Sequence, residues 1–251
     1  MNKKATQDAP SKRQVMREQR MKKQRNQRLF VIIGLVGVAL VFIALIAYPM
    51  IQKANTPVGE FTRITPEARQ MVDGRAIGDK NAKVVVEVFE DFQCPACQAY
   101  TMETEAKVLK EYAETGKIYY IFRNFPFIDD QAAGKESDQA ANAAMCAVEQ
   151  GRFWDYHEML FANWQSENKG AFNDNRLVAF ADALGLDMNQ FNTCFKANKY
   201  KDEINSDLAK GQQMQVSGTP TVFVNGVAVA PNYVPTFEQM KEVLDKALAG
   251  N

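Results

Sequence analysis

The stretch that most restricts this chain is Glu90-Asp91-Phe92-Gln93-Cys94-Pro95-Ala96-Cys97. It follows a run of strand formers, Val84 to Phe89, and opens a helical pattern reaching about Thr115. A strand that hands two cysteines to the first turn of a helix creates a particular electrostatic setting. That turn has N–H groups without intrahelical partners and the positive end of the helix dipole, so a sulfur there is favoured as thiolate. Pro95 suits the first helical position, where its missing N–H costs nothing. Cys97 follows three residues on, on the same face, within bridging reach of Cys94. The spacing predicts Cys94 as the exposed attacking sulfur and Cys97 as the buried one that resolves a mixed disulfide. A structural disulfide or half of a zinc site are the alternatives. Zinc usually needs four ligands, and the chain has four Cys, one His (His157) and no second Cys-x-x-Cys, so no metal site is expected.

The zero net charge conceals an asymmetry. Residues 1–28 carry ten Lys and Arg against Asp8 and Glu18, a net of +8, and residues 52–251 carry 20 against 28, a net of −8. Between them, Leu29 to Ile51 is a run of 23 uncharged residues. As a helix rising about 1.5 Å per residue it reaches roughly 35 Å, enough for a hydrocarbon core of about 30 Å. Positive charge before the span predicts a cytoplasmic N-terminus and an extracytoplasmic remainder. The run is longer than a cleaved signal's apolar core, and no Ala-x-Ala follows it, so an uncleaved signal anchor is expected. The basic tail is then a topology signal, and nucleic acid is not expected as a partner. Crossing the membrane also places the cysteines where a dithiol can be held oxidised.

The organisation predicted is a basic tail (1–28, disordered or lying along lipid headgroups), an anchor (29–51), a linker (52–75) and a folded domain (76–251). In the linker, Thr65-Pro66-Glu67 resembles the start of a short helix. Ala76-Ile77-Gly78-Asp79 reads as a turn. Lys83–Phe89 and Lys117–Arg123 read as buried parallel strands joined by the helix from Cys94. From about 129 to 216 the pattern is helical, an insert between two halves of a sheet. Strand signals return at Thr221–Val224, Asn225-Gly226 reads as a hairpin turn, and Thr236–Leu248 closes the chain as an amphipathic helix.

With Cys-Pro-Ala-Cys, helices, then Ser217-Gly218-Thr219-Pro220-Thr221 and a hairpin, residues 76–249 resemble the DsbA-like branch of the thioredoxin superfamily. The specific points are Asp91 to Cys97, Arg123-Asn124-Phe125-Pro126, Gly151-Arg152-Phe153-Trp154 and Gly218-Thr219-Pro220-Thr221. The fold class implied is α/β, a thioredoxin-like fold with a helical insertion, here preceded by a single transmembrane helix. By that resemblance Thr219-Pro220 is a cis peptide facing the cysteines, which leaves the Thr219 backbone free to pair with a client strand beside Cys94. The Thr219 hydroxyl could also approach the sulfur. Many relatives carry a buried acid six residues before the first Cys. Here that position is Val88; Glu87 should face the other way, and Glu90, placed in the loop, is a possible proton acceptor for Cys97, as is water. Pro95-Ala96 lacks the His of strongly oxidising relatives, which implies a milder oxidant.

Cys146 and Cys194 are either buried free thiols or a structural disulfide; the oxidising compartment and the resemblance imply the disulfide. His157 reads as a packing residue in an aromatic stripe. The function implied is extracytoplasmic thiol–disulfide exchange that introduces disulfides into exported proteins carrying free thiols, by a monomer, with no cofactor. A membrane redox partner of the quinone-reducing kind would regenerate it. The same scaffold could run as a reductase or isomerase. A tethered chaperone without catalysis, or a metal carrier using Cys94 and Cys97, are rivals of other classes.

Overall fold

The computed structural model describes residues 12–131, 135–230 and 233–250, which fall into two units, 1–55 and 56–251. In the first unit, Lys12–Ala54 is one helix, α1, with Pro49 inside it. The tail, expected to be disordered or to lie along lipid headgroups, is helical from Lys12 on, which corrects the first alternative; its first eleven residues lie outside those described. The reason is local: residues 12–33 are rich in Arg, Lys, Gln and Met, with no Gly or Pro to stop the helix of the apolar run propagating backwards. Among the described residues α1 is the one helix long and apolar enough to cross a membrane, over Val15–Pro49, with mean hydropathy 3.2 in its apolar window.

The second unit is built on a mixed sheet of β1 (Val72–Asp73), β2 (Ala76–Gly78), β3 (Val85–Glu90), β4 (Tyr119–Asn124), β5 (Thr221–Val224) and β6 (Val227–Val229), in the spatial order β1-β2-β4-β3-β5-β6. β3 lies centrally, parallel to β4 in register from Val85 against Tyr119 to Glu90 against Asn124, and antiparallel to β5. Covered on both faces, it carries the near-continuous apolar run such a strand needs. The crossover is a helix over 95–113, α2, wound as π turns at Thr101–Glu105 and Leu109–Ala113. Asn225 and Gly226, both at positive φ (49° and 79°), make the tight β5–β6 hairpin.

The insert comprises α3 (Ile128–Gln131), α4 (Glu136–Val148), α5 (Phe153–Ala162), α6 (Asp174–Ala183), α7 (Met188–Lys196) and α8 (Lys201–Gln213); residues 132–134 lie outside those described. Cys146 and Cys194 are bonded, with Cα atoms 5.8 Å apart, and tie α4 to α7. α9 (Phe237–Leu248) starts at a capping box formed by Thr236 and Gln239. Phe92, Phe122, Phe153, His157 and Phe161 pack ring against ring between sheet and insert.

Two expectations need correction. Ala76–Gly78 is a buried strand, because β4 pairs with it antiparallel, a partner 41 or more positions away that the short sequence does not announce. Gly78 is required there: at φ 115° a Cβ would lie 2.0 Å from the Ile118 carbonyl oxygen. From Thr56 on, the supposed linker is a strap bound to the insert. Arg176 Nη1 donates to the carbonyls of Val58 (2.7 Å) and Glu60 (3.0 Å), Thr62 and Asn163 exchange two hydrogen bonds, and Phe61 packs edge-on against Phe180. Side chains of the insert thus satisfy backbone groups of Val58, Glu60 and Thr62, and the helix expected at Thr65 does not form.

Candidate active site

Cys94 is the N-cap of α2, in extended conformation (φ −74°, ψ 121°), and Pro95 occupies the first turn. β3 delivers Cys94 and the neighbouring antiparallel β5 starts from Thr219-Pro220, so the sheet brings residues 125 positions apart into contact: Cys94 Sγ lies 3.3 Å from the Thr219 carbonyl oxygen. The Thr219-Pro220 peptide is cis. Both sulfurs are unbonded thiols. Cys94 is only 6 % exposed and Cys97 fully buried, so the sulfur expected to be exposed is instead recessed, at the edge of a cleft of about 330 Å³ lined by Ala96, Gly218, Thr219, Pro220, Val229 and Tyr233.

The two thiols are driven apart electrostatically. Cys94 is lowered from 9.0 to about 6, chiefly because the Cys97 thiol donates to it, helped by the Thr219 side chain and the N–H groups of Cys97 and Ala96, against burial. The Thr219 hydroxyl is buried with no partner in bonding geometry, so its help is longer-range; the close contact is through its carbonyl. Cys97 is pushed well above its ordinary value, first by burial and then by the pairing with Cys94 and the proximity of Glu90. One sulfur is prepared to be a thiolate and the other to keep its proton.

Glu90 is not in a loop. It ends β3, is 1 % exposed, and neither carboxylate oxygen has a partner. Burial, then the charges of Glu105 and Cys94, push it well above the carboxylate range, so it holds a proton beside the thiols. Glu87 does face the other way, toward Arg123 and Lys210. His157 is buried in the aromatic cluster, pushed down to about 3 by burial.

Three residues with roles in this site lacked an assigned role in the sequence. Asp91 is buried and accepts from the N–H groups of Gln93 and Ile128 and from Ser137 Oγ, while burial still raises it to about 7. Gln93 bonds Ser137, Asp129 and Asn168, and its carbonyl accepts from Trp164 Nε1 at 2.6 Å. Together they clamp the Cys94 turn to the insert. The Asp-x-Gln spacing is the readable signal, an Asx turn just ahead of a helix start. Glu105 lies eleven residues past Cys94 and eight past Cys97, on the buried face with Cys97, Thr101 and Val108, so helical spacing alone could have placed it inside.

A thioredoxin family model matches residues 70–246, and the chain belongs to that family. The probable disulfide bond formation protein D of Bacillus cereus is 28% identical over 213 residues, covering 83% of this chain and 91% of that protein. The disulfide bond formation protein D of Bacillus subtilis is 25% identical over 177 residues, 69% of this chain and 77% of that protein. The crystal structure of oxidised BdbD from Bacillus subtilis superposes with a TM-score of 0.62 at 24% identity, over 70% of this chain and 94% of that one, a likeness of fold. Within the family, then, this is a DsbA-like protein thiol–disulfide oxidoreductase.

Proposed function

We propose that the enzyme introduces disulfides into exported proteins, working outside the membrane from the anchor formed by α1. A client thiolate attacks Cys94 in the Cys94–Cys97 disulfide, and Cys97 leaves and takes a proton. The client's second thiolate then attacks the client sulfur of the mixed disulfide and releases Cys94 as thiolate. Two electrons have moved from client to enzyme, and no cofactor intervenes. A membrane partner of the quinone-reducing kind takes them on. The cleft beside the Thr219 backbone accepts the client as an extended strand.

The observation that carries this direction is the Cys94 thiol lowered to about 6. A stable thiolate at Cys94 stabilises the dithiol form, which makes the disulfide form an oxidant. The milder Pro95-Ala96 dipeptide supports a potential between those of thioredoxin, about −270 mV, and the strongest relatives, about −120 mV. Equilibration of the full chain in glutathione buffers followed by thiol trapping tests this. A value in that interval supports the oxidase, and one more negative than about −270 mV identifies a reductase.

A further inference from the structure

The residue immediately before the attacking sulfur, Gln93, is fully buried, and each of its polar groups is bonded. Its backbone N–H donates to Asp91 Oδ1 at 2.8 Å, a bond inside the turn itself. All its other bonds run to the insert. The side-chain amide donates to Ser137 of α4 (2.9 Å) and Asp129 of α3 (3.1 Å), and Gln93 Oε1 accepts the Asn168 N–H at 2.6 Å. The Gln93 carbonyl, the last one ahead of Cys94, accepts from Trp164 Nε1 at 2.6 Å.

Trp164 is half-buried, two residues past the end of α5, and its backbone N–H donates to the Phe161 carbonyl. Its neighbour Asn163 is tied to the strap in both directions. Thr62 N–H donates to Asn163 Oδ1 at 2.7 Å, and Asn163 Nδ2 donates to the Thr62 carbonyl at 2.8 Å and to the Met159 carbonyl at 2.9 Å. A continuous series of bonds therefore runs from the strap through Asn163 and Trp164 to the peptide that precedes Cys94. The chain's other tryptophan, Trp154, is buried with no partner for its Nε1.

A sulfur at a helix start is stabilised as thiolate only while the free N–H groups of the first turn are aimed at it. Those of Ala96 and Cys97 have that aim here. The peptide between Gln93 and Cys94 sets where the sulfur stands relative to them, and the indole N–H holds that peptide by its oxygen. It also pairs a buried carbonyl whose negative end would otherwise be left open next to the sulfur.

We propose that Trp164 is a positioning residue for Cys94: its indole N–H, held in place by the strap through Asn163, fixes the Gln93–Cys94 peptide so that the N–H groups of the first helical turn meet the sulfur. The proposal rests on the reading of Cys94 as the attacking thiolate. It gives the insert a part in the exchange itself, and it makes the docked strap a contributor to the reactivity of a sulfur further along the chain.

The test measures the alkylation rate of Cys94 against pH in the full-length reduced enzyme, with peptide mapping to separate Cys94 from Cys97. Trp164→Phe keeps an aromatic ring and deletes the N–H. Its alkylation midpoint should rise by about 0.5–1 pH unit, the size of one net hydrogen bond. Half-reduction should then need a [GSH]²/[GSSG] value about three- to tenfold higher, because a less stable thiolate makes a weaker oxidant. Trp154→Phe, which deletes an N–H that has no partner, should leave both readings at the wild-type value. Asn163→Ala, which releases Trp164 from the strap, should raise the midpoint by a smaller amount. An unchanged midpoint in folded Trp164→Phe, or an equal rise in Trp154→Phe, overturns the proposal, and a wild-type midpoint near 6 leaves the reading beneath it standing. A wild-type midpoint near 9.0 sinks both. Should Trp164→Phe not fold, Asn163→Ala decides: a raised midpoint supports the assignment, and an unchanged one overturns it.

Discussion

Cys146 and Cys194 are joined across two helices of the insert, 48 positions apart in the chain, whereas Cys94 and Cys97 share one helical turn. Burial does not separate the pairs. Cys146 is 1 % exposed, Cys194 4 % and Cys94 6 %, a spread too small to make one sulfur reactive and the others inert. What differs is the electrostatic seat. Cys94 caps a helix start, receives the Cys97 thiol and the N–H groups of Ala96 and Cys97, and faces the Thr219 backbone across the cis peptide. Cys146 lies inside α4 and Cys194 inside α7, where the backbone N–H groups are already spent on the helix ladder. The reactivity proposed for Cys94 thus rests on backbone position more than on access.

The comparison breaks most visibly by substitution at the sulfurs. Cys94→Ser should reduce client oxidation to background, while Cys146→Ala with Cys194→Ala should leave the exchange rate nearly unchanged. The double substitution should instead lower stability by about 2–4 kcal/mol in urea unfolding, through the chain entropy released over a loop of this length. Loss of exchange in a folded Cys146/Cys194 variant would overturn the division of labour.

The seat of Cys94 should also show in pH dependence. Its thiol titrates at about 6 when folded and near 9.0 when not. At this thiol the unfolded chain binds more protons than the folded dithiol form between those values, so the contribution of Cys94 to the stability of the reduced protein rises with pH across that window. The gain is lost as pH falls through about 6. The slope is at most about 1.4 kcal/mol per pH unit, an upper bound because Cys94 keeps some solvent contact. The oxidised protein, with no thiol at Cys94, lacks this slope, so the gap between the two urea midpoints should widen from pH 6 to 9. A constant gap would remove the electrostatic distinction between the pairs.

Asp91→Ala, which orphans the N–H groups of Gln93 and Ile128, should cost about 1–3 kcal/mol and slow exchange by loosening the Cys94 turn. The smallest effect is expected of Thr219→Val. It deletes a hydroxyl that helps the thiolate without a direct bond, so the Cys94 alkylation midpoint should rise by under about one pH unit.

Much of this was legible in the sequence because the decisive features are local. The strand, the Cys-Pro-Ala-Cys helix start, Asn225-Gly226 and the closing amphipathic helix each announce themselves within a few residues. The cis Thr219-Pro220 peptide came through family resemblance, not from its own residues. What stayed hidden depends on distant partners. The strap after Thr56 owes its order to Arg176 and Asn163, more than a hundred positions away. β2 exists because β4 pairs with it, and Glu90 is buried by elements whose packing no local pattern records.

The most direct test of the account uses Cys97→Ser, in which a bond made by Cys94 cannot be resolved from within. Incubated with an unfolded client carrying a disulfide, this variant should accumulate a mixed disulfide that peptide mapping places at Cys94 alone. Accumulation at Cys146 or Cys194, or none at any cysteine in a folded protein, would contradict it.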